Sequence, residues 1–333
     1  GNGYDSANHK AGLYIVPLEN PEDAIFIDTE SDGTADSPNG LSAALATDTD
    51  GDKRADRIYA GDLQGNMWVF DLSADNSAAW KRESPRLLFR ACTSDDCSSP
   101  QPITMRPEVV KYTGAGGGQL VLFGTGSYRT ADDVDSTQVQ SFYGVHDDGQ
   151  NTVSERSKLQ AQEIVKEFTV QTTGEHRVTS KNSVDYSSSR GWYIDFNSSR
   201  FIGERMITDP VVRRDTVRFF TFTVEGGVCS RNGGDSWFME LDFNTGARAD
   251  SSTFDVNGDG RVDADDLETL ETSAGTEKVP VSGFKAEGLV KTPDFASNGE
   301  TTRLRGDSSG GALVERARQE GPPLGRQSWI QVR

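Results

Sequence analysis

The chain has 333 residues, enough to bury one large core or two ordinary ones. It carries 52 Asp and Glu against 34 Lys and Arg, a formal net charge of −18, which would repel nucleic-acid phosphates and suits a protein that binds cations. Hydrophobic residues are only 34% of the chain but cluster in short runs between turn residues, so the chain is expected to fold; no run approaches the roughly 20 apolar residues that span a bilayer.

In chain order, Gly1-Asn2-Gly3-Tyr4 reads as the end of a strand, which predicts a fragment whose upstream part, including any export signal, is missing. Runs rich in aromatic and β-branched residues follow and predict strands. They are Leu13–Val16, Arg57–Ala60, Met67–Phe70, Gln119–Phe123, Phe142–Val145, Gly191–Ile194, Val217–Val224 and Trp237–Leu241. Four of them share one device, an aromatic followed a few residues later by an acid: Trp68 to Asp71, Tyr143 to Asp147, Trp192 to Asp195 and Trp237 to Asp242. These units start about 45 to 75 residues apart, an irregular version of a propeller-blade repeat. Trp68, Trp192 and Trp237 are read as core and inter-blade packing. Helical signal is sparse: Ser154–Val165 predicts one exposed helix, with Leu159, Ile164 and Val165 on a shared side, and Asp265–Leu270 a short one. The fold class is therefore all-β, an irregular propeller extending over residues 1–333, monomeric in isolation.

Three cysteines occur, Cys92, Cys97 and Cys229, and three single pairings are open. The short polar loop from Cys92 to Cys97 suits a disulfide in an oxidising compartment, leaving Cys229 as the odd residue. Gly114–Gly118 and Gly306–Gly311 are flexible turns without the context of a phosphate-binding loop. Arg305-Gly306-Asp307 spells an integrin-recognition tripeptide, for which an accidental match in a solvated loop is the preferred reading.

Two aspartate-rich loops carry the chemistry. Asp48, Asp50, Asp52 and Asp56 fall at positions 1, 3, 5 and 9 of the first, and Asp255, Asn257, Asp259 and Asp263 at the same positions of the second. That is the ligand spacing of an EF-hand calcium loop, in which position 7, here Arg54 and Arg261, adds a backbone carbonyl. Ca²⁺ takes six to eight oxygens, and alternate residues of a tightly curled loop can aim theirs at one centre. The second loop also has Gly260 at position 6, Val262 at position 8 and Asp266 at position 12. The first has Lys53 at position 6 and Tyr59 at position 12, which predicts weaker binding there. Two Ca²⁺ ions, with four positive charges, would take the net charge from −18 to −14.

These residues resemble a known family. Asp48–Asp52, Asp56–Leu63 and Gly65–Leu72 look like the calcium-loop blade of the PilC/PilY family of type IV pilus tip-associated proteins. The resemblance continues through Gln101–Glu108, Phe123–Gly126, Phe142–Gly144, Gly191–Tyr193 and Gly234–Asp242, and resumes at Gly325–Trp329, similar to the family's terminal strand. It implies a C-terminal β-propeller, here lacking its opening blade or part of it, and without the family's variable N-terminal region. It further implies an exported protein at the pilus tip, cell surface or outer membrane of a Gram-negative bacterium. Implied partners are minor and major pilins and a host or abiotic surface ligand. The implied roles are pilus biogenesis, calcium-dependent balance of extension against retraction, adhesion and twitching motility. Carried onto this chain, the regulatory site is Asp48, Asp50, Asp52, the Arg54 carbonyl and Asp56; Asp52 stands where the family often has asparagine.

The rival class is a secreted, calcium-using quinoprotein dehydrogenase, also a propeller. No adjacent cysteine pair occurs, and His9, His146 and His176 show no metal-ligand spacing. A calcium-stapled scaffold without a regulatory role differs from the pilus reading in its partners and shares its fold.

Overall fold

All eight aromatic and β-branched runs named above form strands. The computed structural model describes residues 1–290 except Asp5, Ser84, Ser199, 225–232 and Ala274, and beyond them the backbone of three two-residue strands. In chain order the strands are β1 (Lys10–Ile15), β2 (Ile25–Asp32), β3 (Leu45–Thr47), β4 (Arg57–Gly61), β5 (Asn66–Asp71), β6 (Arg86–Arg90) and β7 (Glu108–Lys111). Next come β8 (Gln119–Gly124), β9 (Ser141–Asp147), β10 (Gln160–Gln162), β11 (Ile164–Val170), β12 (Gly174–Thr179), β13 (Gly191–Asp195) and β14 (Val211–Arg213). The series continues with β15 (Thr216–Val224), β16 (Gly234–Asp242), β17 (Glu268–Thr272), β18 (Gly275–Val279) and β19 (Gly283–Glu287), and ends with the three short strands from Ala296 to Glu315. Cys229, Arg305-Gly306-Asp307, the Gly306–Gly311 turn and the terminal strand near 325–333 lie outside the described residues.

Three larger sheets organise the chain: β3-β4-β5-β6, then β7-β8-β9-β13-β10, then β14-β15-β16-β19-β12-β11. Each begins with consecutive antiparallel strands running away from one edge, as a propeller blade does. The leading edges β3, β7 and β14 approach one another, β7 between the other two. Alternation along single strands explains the stacking. In β5, Met67 and Val69 enter the main core while Trp68 and Phe70 enter the core shared with β1 and β2. In β15, Val217 and Phe219 face the main core and Phe220 faces a third cluster with Phe238 and Phe284. Period-2 burial on both faces is what a sheet between neighbours requires.

Aromatic contacts join the sheets. Phe142 and Phe219 stack with centroids 4.2 Å apart, and Phe89 meets Tyr143 at 5.2 Å. Each such pair adds about 0.5–1.5 kcal/mol beyond the area it buries. Trp68, Trp192 and Trp237 are core residues, as read from the sequence. Arg177 of β12 is fully buried, paired through both terminal nitrogens with the buried Glu204 at 2.6 Å, held by Glu167 at 2.8 Å and laid over Trp237.

Both helix expectations need correction. Ser154–Val165 contains a 3-10 turn at Arg156–Lys158, then β10 and the start of β11. Leu159 is buried and Ile164 packs on the core, but the adjacent Val165 is exposed, so the apolar side is not a helical stripe; β10 instead pairs in parallel with β13. Asp265–Leu270 divides into a 3-10 turn at Ala264–Asp266 and strand β17, which forms a hairpin with β18. Cys92 and Cys97 are disulfide-bonded, and the Cys92 carbonyl accepts hydrogen bonds from Tyr143 and Arg156.

Candidate metal centre

The first acidic loop joins β3 to β4, so it sits beside a leading edge of the first sheet. Thr47 accepts from the Asp56 N–H at 3.1 Å and the Asp56 carbonyl accepts from Leu72 at 2.7 Å, which ties both loop ends to the sheet. Between them the backbone curls through two left-handed residues, Gly51 at φ 90° and Lys53 at φ 75°. The curl turns N–H groups inward. Asp48 accepts from Gly51 at 2.6 Å and Lys53 at 2.8 Å, Asp50 from Asp52 at 3.0 Å, and Asp52 from Arg54 at 2.7 Å. The Gly51 and Lys53 N–H groups hold the Asp48 carboxyl below the usual carboxylate range.

Asp48, Asp50 and Asp56 each place one carboxylate oxygen within 4.8 Å of the other two. Two oxygens about 2.4 Å from one ion can be no more than about 4.8 Å apart, and the trio meets that condition for sharing one metal ion. Three anions this close repel unless a cation lies between them, and an all-oxygen donor set suits a hard ion. Asp52 is not part of the trio. Tyr59, at position 12, is fully buried and donates to Asp147 at 2.8 Å.

The second loop repeats the same scaffold. Gly258 and Gly260 take φ 78° and 88° at positions 4 and 6. Asp255 accepts from Gly258 at 2.8 Å and Gly260 at 2.9 Å, Asn257 from Asp259 at 2.8 Å, and Asp259 from Arg261 at 2.8 Å. The loops diverge at their ends. In the first, Asp56 at position 9 closes the loop by accepting from the Thr49 N–H and hydroxyl. In the second, Asp263 caps the 3-10 turn, and the buried Asp266 at position 12 accepts from Val256, Asn257 and Asp263. Among the described residues, the second loop does not gather three carboxylate oxygens as the first does.

Four supporting residues could not be read from the local sequence. Asp147 meets the first loop's outgoing strand from about 90 residues away. Thr172 and Thr173, at the β11–β12 turn, donate to the carbonyls of Asn257 and Val256 and anchor the second loop. Thr49 could have been read as a closing donor only with the curl already known.

The model of the PilY1 beta-propeller domain matches residues 1–180. A type IV pilus biogenesis factor PilY1 of Pseudomonas aeruginosa is 32% identical over 90% of this chain and 29% of its own length. A PilY1 homolog of Xylella fastidiosa is 30% identical over 90% of this chain and 21% of its own length. The chain thus spans less than a third of these relatives. The crystal structure of the Pseudomonas aeruginosa PilY1 C-terminal domain superposes with a TM-score of 0.74 at 28% identity, covering 95% of this chain and 68% of that one. The all-β fold resembles that domain, and the chain belongs to the PilY1 family.

Proposed function

We propose that this chain is the calcium-binding propeller portion of an exported protein that supports type IV pilus biogenesis. Its relatives are named as type IV pilus biogenesis factors, which favours this reading over a quinoprotein enzyme. The observation that carries the calcium part is the convergence of Asp48, Asp50 and Asp56 at the end of β3. Asp48, Asp50, Asp52, the Arg54 carbonyl and Asp56 would hold one Ca²⁺, and Asp255, Asn257, Asp259, the Arg261 carbonyl, Asp263 and Asp266 a second. A bound ion supplies charge neutralisation, and the loop residues supply the oxygens and the backbone curl that gathers them. At free calcium about 100 times the dissociation constant, an ion that binds only the folded state stabilises it by about 2.7 kcal/mol. The first site lacks a glycine at position 6 and is the weaker, so external calcium can load or empty it. That is the property of a switch acting on pilus extension and retraction, on adhesion and on twitching, with minor and major pilins and a host or abiotic surface as partners.

The test is made in the full-length protein in its own bacterium. The parent should co-purify with sheared pili, and Asp56→Ala should leave export intact while changing piliation or the twitching zone. Exported Asp56→Ala protein with parental piliation and twitching supports a calcium-stapled scaffold and contradicts the switch. A parent absent from sheared pili contradicts the pilus assignment.

A further inference from the structure

Asp147 ends β9, in the second sheet, and its side chain is fully buried. Its contacts nevertheless run to the first sheet. One oxygen accepts from Tyr59 of β4 at 2.8 Å and lies 3.8 Å from the Arg57 guanidinium, also of β4. The other accepts from Arg86 of β6 at 2.6 Å and from the Gly149 N–H at 2.9 Å. Gly149, at φ 88°, lies so close to Arg57 that a β-carbon there would stand 3.0 Å from the guanidinium. Arg57 directly follows Asp56, the residue that closes the first acidic loop, and pairs with Thr47, the last residue before that loop. A single buried carboxylate of one sheet therefore grips the strand that leaves the candidate ion site of the other.

We infer that Asp147 is a positioning residue for the calcium loop at 48–56 and the path by which its loading reaches the second sheet. This rests on calcium occupying that loop. Ordering Asp56 fixes the start of β4; Arg57 and Tyr59 are then held where Asp147 can accept them, so loading and the seam between the sheets stabilise each other. The coupling is reciprocal by linkage: weakening the seam must weaken calcium binding by the same factor. A buried carboxylate facing two guanidinium groups and a hydroxyl is suited to this, because its charge is poorly screened there. Asp148, the next residue, pairs instead with Arg190 at 2.7 Å, which makes it the internal control.

The experiment is a calcium titration of the parent, Asp56→Ala, Asp147→Asn, Tyr59→Phe and Asp148→Asn, with hydrogen exchange measured with and without calcium. Asp147→Asn keeps the shape and removes the charge; Tyr59→Phe removes one hydrogen bond and leaves Asp147 untouched. Both should weaken the binding event that Asp56→Ala abolishes, Asp147→Asn by about fivefold or more, whereas Asp148→Asn leaves it unchanged. In the parent, calcium should slow exchange at residues 45–59 and also at 141–149; in Asp147→Asn only the first segment should respond. A binding event lost in Asp56→Ala but unmoved in both Asp147→Asn and Tyr59→Phe, with exchange at 141–149 indifferent to calcium, overturns the inference alone. A parent titration that Asp56→Ala does not alter overturns the calcium reading and this inference with it.

Discussion

Exchanging the sixth residues of the two acidic loops tests whether they are one device built twice. Lys53 and Gly260 hold that position, at φ 75° and 88°. A side chain in the left-handed region costs about 1–2 kcal/mol, because its β-carbon crowds the following carbonyl. Glycine escapes that cost, but its freer unfolded backbone returns about 0.4–1 kcal/mol of the advantage. The net benefit of glycine is about 0.5–1 kcal/mol, or roughly two- to fivefold in a binding constant when the curl forms on loading. Lys53→Gly should tighten calcium at the first loop by that factor, and Gly260→Lys should weaken the second by the same. Lys53 is exposed, and its N–H bond to Asp48 is one that any residue but proline can make. Removing its charge also favours a cation, so Lys53→Ala, which drops the charge and keeps the β-carbon, is the reference. Isothermal titration of the parent and these variants reads the effect. Lys53→Gly binding no tighter than Lys53→Ala would refute the backbone argument.

Glu204→Ala should destabilise the chain by about 3–5 kcal/mol, since it strands a buried guanidinium with Glu167 alone. Asp250→Ala, which breaks the exposed pair with Lys181, should change stability by less than about 1 kcal/mol, and equal thermal shifts in the two variants would contradict this. Burial pushes His176 down from 6.5 to about 4. A folded-state value below the unfolded one means the unfolded chain binds the extra proton, so this contribution is full above about pH 6.5 and is lost as pH falls towards 4. The melting temperature of the parent relative to His176→Leu should therefore fall as pH drops through that window; a difference independent of pH opposes it. Exported protein should carry Cys92 and Cys97 oxidised, and intact-mass analysis finding both thiols free would contradict the assignment.

The strands were legible where both faces are buried, because runs such as Met67–Phe70 and Val217–Val224 consist almost wholly of aromatic and β-branched residues. β11 and β12 were not. Their residues alternate weakly, and their place is set by pairing with each other and with β19, remote in sequence. The misread helix at Ser154–Val165 has the same origin, since its parallel partner β13 lies about 30 residues away. At the acidic loops, spacing alone located Asp48, Asp50 and Asp56, because the curl is local and its periodicity survives in sequence. The comparison of the two loops was less legible. Asp266 also accepts from three backbone N–H groups and so holds the second loop's curl, while the gathering of three carboxylates in the first loop appears only in three dimensions. Asp147 could not be read at all, since only the stacking of two sheets brings it to Arg57 and Tyr59.

The central claim is most directly tested by counting calcium ions on the folded chain by native mass spectrometry alongside calorimetric titration. The account predicts two ions on the parent, one on Asp56→Ala with the fold intact, and one on Asp255→Ala with lowered thermal stability. A parent that carries no calcium, or an Asp56→Ala chain carrying as many ions as the parent, contradicts it.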